Sequence, residues 1–162
     1  INVNSAEEMF SAVLDSLPAD IAIFSAAVSD FKIKNKEKYK IKKKESIDLS
    51  LEKNIDILGH ISKHNSLRPK IVIGFAAETN NLINNSKKKL SEKNCDWLVT
   101  NDVSDTSIGF ESDYNEVTIF YNNNKNQEKI SKMKKSLLAD KIVEKVIFQL
   151  NWFDGKSFSK KA

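Results

Sequence analysis

Residues 26 to 44 read AAVSDFKIKNKEKYKIKKK. Small apolar residues end at one carboxylate, Asp30, and eight lysines then fall between Lys32 and Lys44. A second group, Lys87, Lys88, Lys89 and Lys93, follows much later in the chain. Ammonium groups on long flexible stems act as mobile point charges, so two such groups could grip a polyanion such as a phosphate-bearing substrate. The competing reading is a pair of solvated charge runs, the ordinary fate of like-charge blocks. Composition does not separate the two, because 17 asparagines beside so much Lys and Ile point to a bias that raises lysine everywhere. Lysine positions therefore carry more information than lysine counts.

Other chemistry is weakly represented. The four glycines all lie at or beyond Gly59, so the chain holds neither a G-x-x-x-x-G-K-[ST] loop nor a G-x-G-x-x-G turn. His60 and His64 are four apart, yet no Glu stands between them and no third ligand is near, which favours two surface histidines over a metal site. Cys95 is the single cysteine and reads as a semi-buried structural thiol. Without a second cysteine no intrachain disulfide forms, and the N-terminal INVNSAEEMF shows no signal-like stretch, so a reducing cytoplasm is expected. No apolar run is long enough to span a bilayer, and no membrane association is expected. Of 26 basic residues only Arg68 is Arg, and aromatics are not interleaved with the lysines, which argues against a nucleic-acid partner despite the net charge of +4.

The elements that would position these residues follow from periodicity. At 162 residues the chain is one α/β domain, taken as 1–150 with a C-terminal tail over 151–162. Ser5 and Glu8 have capping-box spacing before a helix that carries Met9, Val13 and Leu17 and stops at Pro18. Residues 21–27 read as a buried parallel strand covered on both faces, and Ile47, Leu49 and Leu51 as a half-exposed strand. A short helix is expected over 56–63, a buried strand over 71–75, a helix over 80–93 and a buried strand over 97–100. Residues 116–121 read as an edge strand, 122–126 as a turn, and 138–150 as a final helix. Strands alternating with helices imply a mostly parallel sheet, with ligands at the strands' carboxyl ends. Those ends are 26–30, 74–78 and 101–104.

These residues resemble phosphopantothenoylcysteine synthetase. The resemblance is carried by AAVSDF, KIKK at 40–43, LEKNIDIL, IGFAAETNN, KKKLSEKNCDWLVTNDVS, IGFESDYNEV and SLLADKIVEKV, in that order, from about Val3 to about Val146. It implies a Rossmann-like three-layer α/β sandwich, homodimeric, which joins 4'-phosphopantothenate to cysteine at the expense of CTP with Mg2+, through an acyl-cytidylate. FMN would enter only with an upstream decarboxylase domain. By the same resemblance Ala26 and Ala27 lie beside the substrate's acyl portion. Asp30, Ile55, Asp56, Ile57, Leu58, Phe75, Lys89 and Lys93 contact the nucleotide, and Lys40 is the catalytic lysine that reaches the triphosphate from a flap. No residue is implied as a metal ligand.

Two departures matter. Ile55 stands where the family usually has proline, which frees φ and restores an N–H donor in the cytidine-side turn. The family's glycine-rich strand-to-helix turn and its catalytic asparagine would precede Ile1. The first strand and helix of the sheet are therefore expected to be missing, leaving an apolar edge and a chain that alone binds CTP weakly and ligates little. The alternative is a non-catalytic fragment or dimerisation module. Whether CTP is preferred over ATP stays open at this level.

Overall fold

The computed structural model describes residues 1–35, 39–42, 46–104, 112–123 and 126–153, the side chains of 152 and 153 excepted. In chain order the elements are α1 (Ala6–Asp15), β1 (Ile21–Phe24), β2 (Phe31–Ile33), β3 (Leu51–Lys53), α2 (Ile57–Ser62), β4 (Ile71–Glu78), α3 (Leu82–Lys93), β5 (Trp97–Asp102), β6 (Tyr114–Tyr121), β7 (Gln127–Lys134) and α4 (Lys135–Phe153). A five-stranded sheet has the order β1-β4-β5-β6-β7, and β2 and β3 form a separate two-stranded arm. Pairing is parallel for β1 with β4 and β4 with β5, then antiparallel through β6 and β7. The sheet is thus mixed, and parallel where the ligand-bearing strand ends were expected.

Burial explains the layering. Ile71, Val72 and Ile73 of β4 and Val99 of β5 are fully buried, as strands covered on both faces must be. Ile71 and Ile73 join Leu138, Ile142 and Val146 of α4 in one core. Val72 and Leu98 face the other way, toward Leu90 of α3 and Leu58 of α2. Helices on both faces of a sheet that is parallel at its centre make a three-layer, Rossmann-like α/β fold.

At the N-terminus Ser5 caps the helix as expected, Glu8 N donating to Ser5 Oγ at 3.2 Å, while Glu8 Oε2 accepts from Asn4 N at 2.8 Å, one residue before the partner a capping box would use. Yet α1 has no buried residue.

Several boundaries differ from the periodicity. β1 stops at Phe24, so Ser25, Ala26 and Ala27 lie beyond the strand and are exposed. It is an edge strand with Ile23 46% exposed, not a strand covered on both faces, since its far side has no strand among the described residues. Ile47 and Leu49 lie outside any strand; only 51–53 pair, with β2. β6 is longer than expected and interior, because β7, which the sequence pattern does not reveal, takes the edge. The IGFE part of IGFESDYNEV and the tail from 154 lie outside the described residues.

Candidate functional site at the strand tips

The sheet opens where β1 ends. Phe24 pairs with Gly74, after which β4 runs on from Phe75 to Glu78 beside β5 alone. Such a notch at the carboxyl ends of parallel strands is where open α/β sheets take ligands.

Two glycines set the segment Ile55–Leu58 against this region. A Cβ on Gly74 would lie 2.5 Å from Leu58 Cδ2, so the glycine leaves room for Leu58 of α2 to lie against the sheet in this rotamer. A Cβ on Gly59 would lie 2.3 Å from Asp56 Oδ2, because Asp56 folds over the start of α2 and accepts from Gly59 N at 3.1 Å. The root of the arm is tied to the same segment: Asn54 N donates to Asp30 O at 2.9 Å, and Asn54 Nδ2 to Ser29 O at 2.9 Å.

Helix α3 supplies the charge. Asn85, Lys89 and Lys93 recur every four residues and so share one ridge, while Ser86 and Leu90 form the buried face. Lys93 Nζ lies 2.7 Å from Asp56 Oδ2, and Lys89 Nζ lies 2.6 Å from Glu78 Oε1. A buried hydroxyl pair, Ser86 Oγ to Thr100 Oγ1 at 2.9 Å, fixes the helix to β5. The helix starts after Asn81, which holds a left-handed φ of 45° and gives no side-chain cap to the first amides.

The expected residues distribute unevenly. Lys93 meets Asp56, Leu58 lies against Gly74, and Asp30 is tied through its backbone oxygen to Asn54, while Ile55 is exposed between Asn54 and Asp56. Ile57 is buried at the start of α2, so its side chain serves packing. Phe75 packs with the core on the α4 face, across the sheet from Leu58 and Lys89, and could meet a ligand only over the strand tips. Ala26, Ala27 and Lys40 are exposed, Lys40 in the segment between the arm's strands. Lys32, the first of the lysine comb, is committed elsewhere: it pairs with Glu7 of α1 and lies 3.5 Å from Glu52. The hydrogen bond to Glu7 raises its ammonium above the usual lysine range.

Glu78 was not singled out by its type. Its signal lay in spacing: an acid closing an apolar strand, with Asn and Lys seven and eleven positions later on the helix that follows.

Other groups serve packing. His60 packs edge-on against Phe10, with centroids 4.8 Å apart, and His64 Nδ1 accepts from Leu67 N at 3.1 Å. Burial pushes the Cys95 thiol up to about 11, which keeps it neutral and unreactive. A cleft of about 390 Å³ lies between β7 and α4, but its Lys145 is paired with Glu128 and its Lys129 with Glu116. Among the described residues no three His, Cys, Asp or Glu side chains gather to hold a metal ion.

A family model described as DNA/pantothenate metabolism flavoprotein C-terminal domain matches residues 1–149. The Coenzyme A biosynthesis bifunctional protein CoaBC of Bacillus subtilis (strain 168) is 37% identical over 130 residues, 79% of this chain and 32% of that protein. The protein of the same name from Haemophilus influenzae (strain ATCC 51907 / DSM 11121 / KW20 / Rd) is 38% identical over 152 residues, 91% of this chain and 36% of that protein. The chain thus spans about a third of the length of these relatives. Among solved structures, the C-terminal domain of Coenzyme A biosynthesis bifunctional protein CoaBC superimposes with a TM-score of 0.72 at 28% identity, covering 93% of this chain and 65% of that one.

Proposed function

This chain belongs to the DNA/pantothenate metabolism flavoprotein C-terminal domain family, and we propose that it carries out the ligation of 4'-phosphopantothenate with cysteine in coenzyme A biosynthesis, driven by CTP. The observation that carries this reading is the pair of α3 lysines, Lys89 and Lys93, each tethered by an acid beside the open strand tips.

The chemistry needs such groups. The substrate carboxylate attacks the α-phosphorus of CTP, the bond to pyrophosphate breaks, and an acyl-cytidylate forms. The cysteine amine then attacks the acyl carbon, loses a proton and expels CMP. Negative charge grows on the departing pyrophosphate in the first step. Ammonium groups set beside it therefore stabilise the transition state more than the ground state. Lys89 and Lys93 would take the phosphates from the helix, and Lys40 would reach them from the arm. Asp30 and the Ile55–Leu58 segment would hold the nucleoside, Phe75 closing the pocket over the tips, with Ala26 and Ala27 leaving room for the acyl portion.

Glu78 and Asp56 already face lysines, so in this reading Mg2+ arrives with the nucleotide, held by phosphate oxygens. Ligation moves no electrons and asks nothing of a flavin. No described helix is long and apolar enough to cross a membrane, and a cytoplasmic site of action suits the substrates.

We also place the protein as a homodimer. On the arm, Phe31, Ile33 and Leu51 share one face by register and are each more than 40% exposed, an apolar strip that a second copy would cover. The same strip favours the second reading, a non-catalytic assembly module.

Calorimetric titration with the magnesium complexes of CTP, ATP and UTP tests the reading. Weak binding that favours CTP is expected. A chain that binds none of the three, or all equally, contradicts a CTP-dependent ligase.

A further inference from the structure

We propose that Glu78 is a positioning residue for the nucleotide phosphates, acting through Lys89. The inference rests on the ligase reading, in which Lys89 serves those phosphates.

The Glu78 side chain is only 9% exposed, so its carboxylate cannot itself meet a ligand arriving from solvent, whereas Lys89 remains 45% exposed. Any influence of Glu78 on a ligand must pass through what it holds. Its Oε2 accepts from Asn85 Nδ2 at 3.1 Å, and Asn85 is anchored in turn by a 3.1 Å bond to Asn80 O. Its Oε1 has no well-directed hydrogen bond, and its close contact is the Lys89 ammonium at 2.6 Å. A buried carboxylate without a counter-charge is costly, so this pairing restrains both partners.

The second pair is built differently. Asp56 is half-exposed and divides its carboxylate between the α2 cap and Lys93. Glu78, at the end of β4, is buried and braced by the Asn85 amide of α3, a helix fixed to β5 by the Ser86–Thr100 bond. Of the two α3 lysines, Lys89 is therefore the one whose ammonium is held in place before a ligand arrives. Holding a charge where it will be needed lessens the ordering required on binding and reaction.

Glu78 is also an anion near an anionic ligand, so placement must be separated from charge. Glu78→Asp keeps the charge and withdraws the carboxylate by one methylene. Titration with Mg-CTP is expected to show roughly five- to tenfold weaker binding for Glu78→Asp, comparable to Lys89→Gln. In the Glu78→Asp/Lys89→Gln double variant the loss should be no larger than for Lys89→Gln alone, because the first change acts only through the second residue. Wild-type affinity in Glu78→Asp, or a further loss in the double variant, would overturn the proposal.

Should Glu78→Asp not fold, Glu78→Gln keeps the shape and the Asn85 contact. It is expected to bind no tighter than wild type despite the lost negative charge. Tighter binding would mean that Glu78 merely repels phosphate, and would also overturn the proposal. A wild-type chain that binds no Mg-CTP sinks the ligase reading instead. The clamp is then judged by unfolding: Glu78→Gln and Lys89→Gln together should cost less than their sum, and additive costs would refute it.

Discussion

The two ends of β4 use positive charge in opposite ways. At the amino end stands the single arginine. Arg68 donates to Ser62 O at 2.7 Å, Pro69 O at 3.0 Å, Asn94 O at 3.4 Å and Asp96 Oδ2 at 3.0 Å, while Asp96 Oδ2 also accepts from Val72 N at 2.7 Å. One planar fork thereby joins the last residue of α2, the C-cap of α3 and the start of β4, where helix carbonyls present partial negative charge. At the carboxyl end Lys89 and Lys93 each meet one carboxylate and stay partly exposed. A rigid guanidinium with several simultaneous acceptors suits a permanent joint. An ammonium on a flexible stem suits a partner that comes and goes. The contrast teaches that the near-absence of arginine in this chain is informative at one place: where arginine is used, the structure is fixed.

The largest expected effect tests the permanent end. Arg68→Met removes four donated bonds and leaves Asp96 without its cation, and should lower unfolding stability by about 2–3 kcal/mol in urea titration. A loss near zero would mean that the joint is ornamental.

A smaller effect is expected near the tips. Gly59→Ala puts a methyl 2.3 Å from Asp56 Oδ2, so the cap must open. A cost of about 1–2 kcal/mol is expected, with weaker Mg-CTP binding because Asp56 also holds Lys93. Arg68→Met should lack that second effect when folded.

The smallest concerns neither end. Glu128 is held below the usual carboxylate range, first by the hydrogen bond from Lys145 and also by that from Tyr121. A depressed folded value means stability that is present above the unfolded carboxyl range, near 4.3, and lost as pH falls through the folded value. Lys145→Met should therefore cost less than about 1 kcal/mol near neutral pH, since both side chains are partly exposed, and nothing in strong acid. A difference that grew on acidification would contradict the assignment.

Much of the fold was legible because β4 and β5 are unbroken apolar runs and the helices carry a 3.6-residue apolar stripe. β1 was read too long because Ser25, Ala26 and Ala27 continue the run of small apolar residues, whereas the pairing with β4 ends at Phe24. β7 was missed because QEKISKMK is an edge strand with one buried residue, Ile130, and its alternating charges look like loop. The site was legible in register more than in type. Lys32 and Lys40 belong to one comb by composition, but the fold pairs Lys32 with α1 and leaves Lys40 exposed. Phe75 could not be assigned a face until the sheet order was known. Glu78 stayed hidden because its partners sit on the next helix, and an acid at a strand end ordinarily reads as solvent-facing.

The central claim is that the carboxyl end of β4, and not its amino end, receives the nucleotide. Amide chemical-shift mapping of the isotope-labelled chain during a Mg-CTP titration tests it most directly. The account predicts that Asp30, Asp56, Gly74 through Glu78, Lys89 and Lys93 shift together with one saturation curve, while Arg68, Asn94 and Asp96 stay in place. Shifts confined to the β7 and α4 cleft, or to the arginine end, would contradict it.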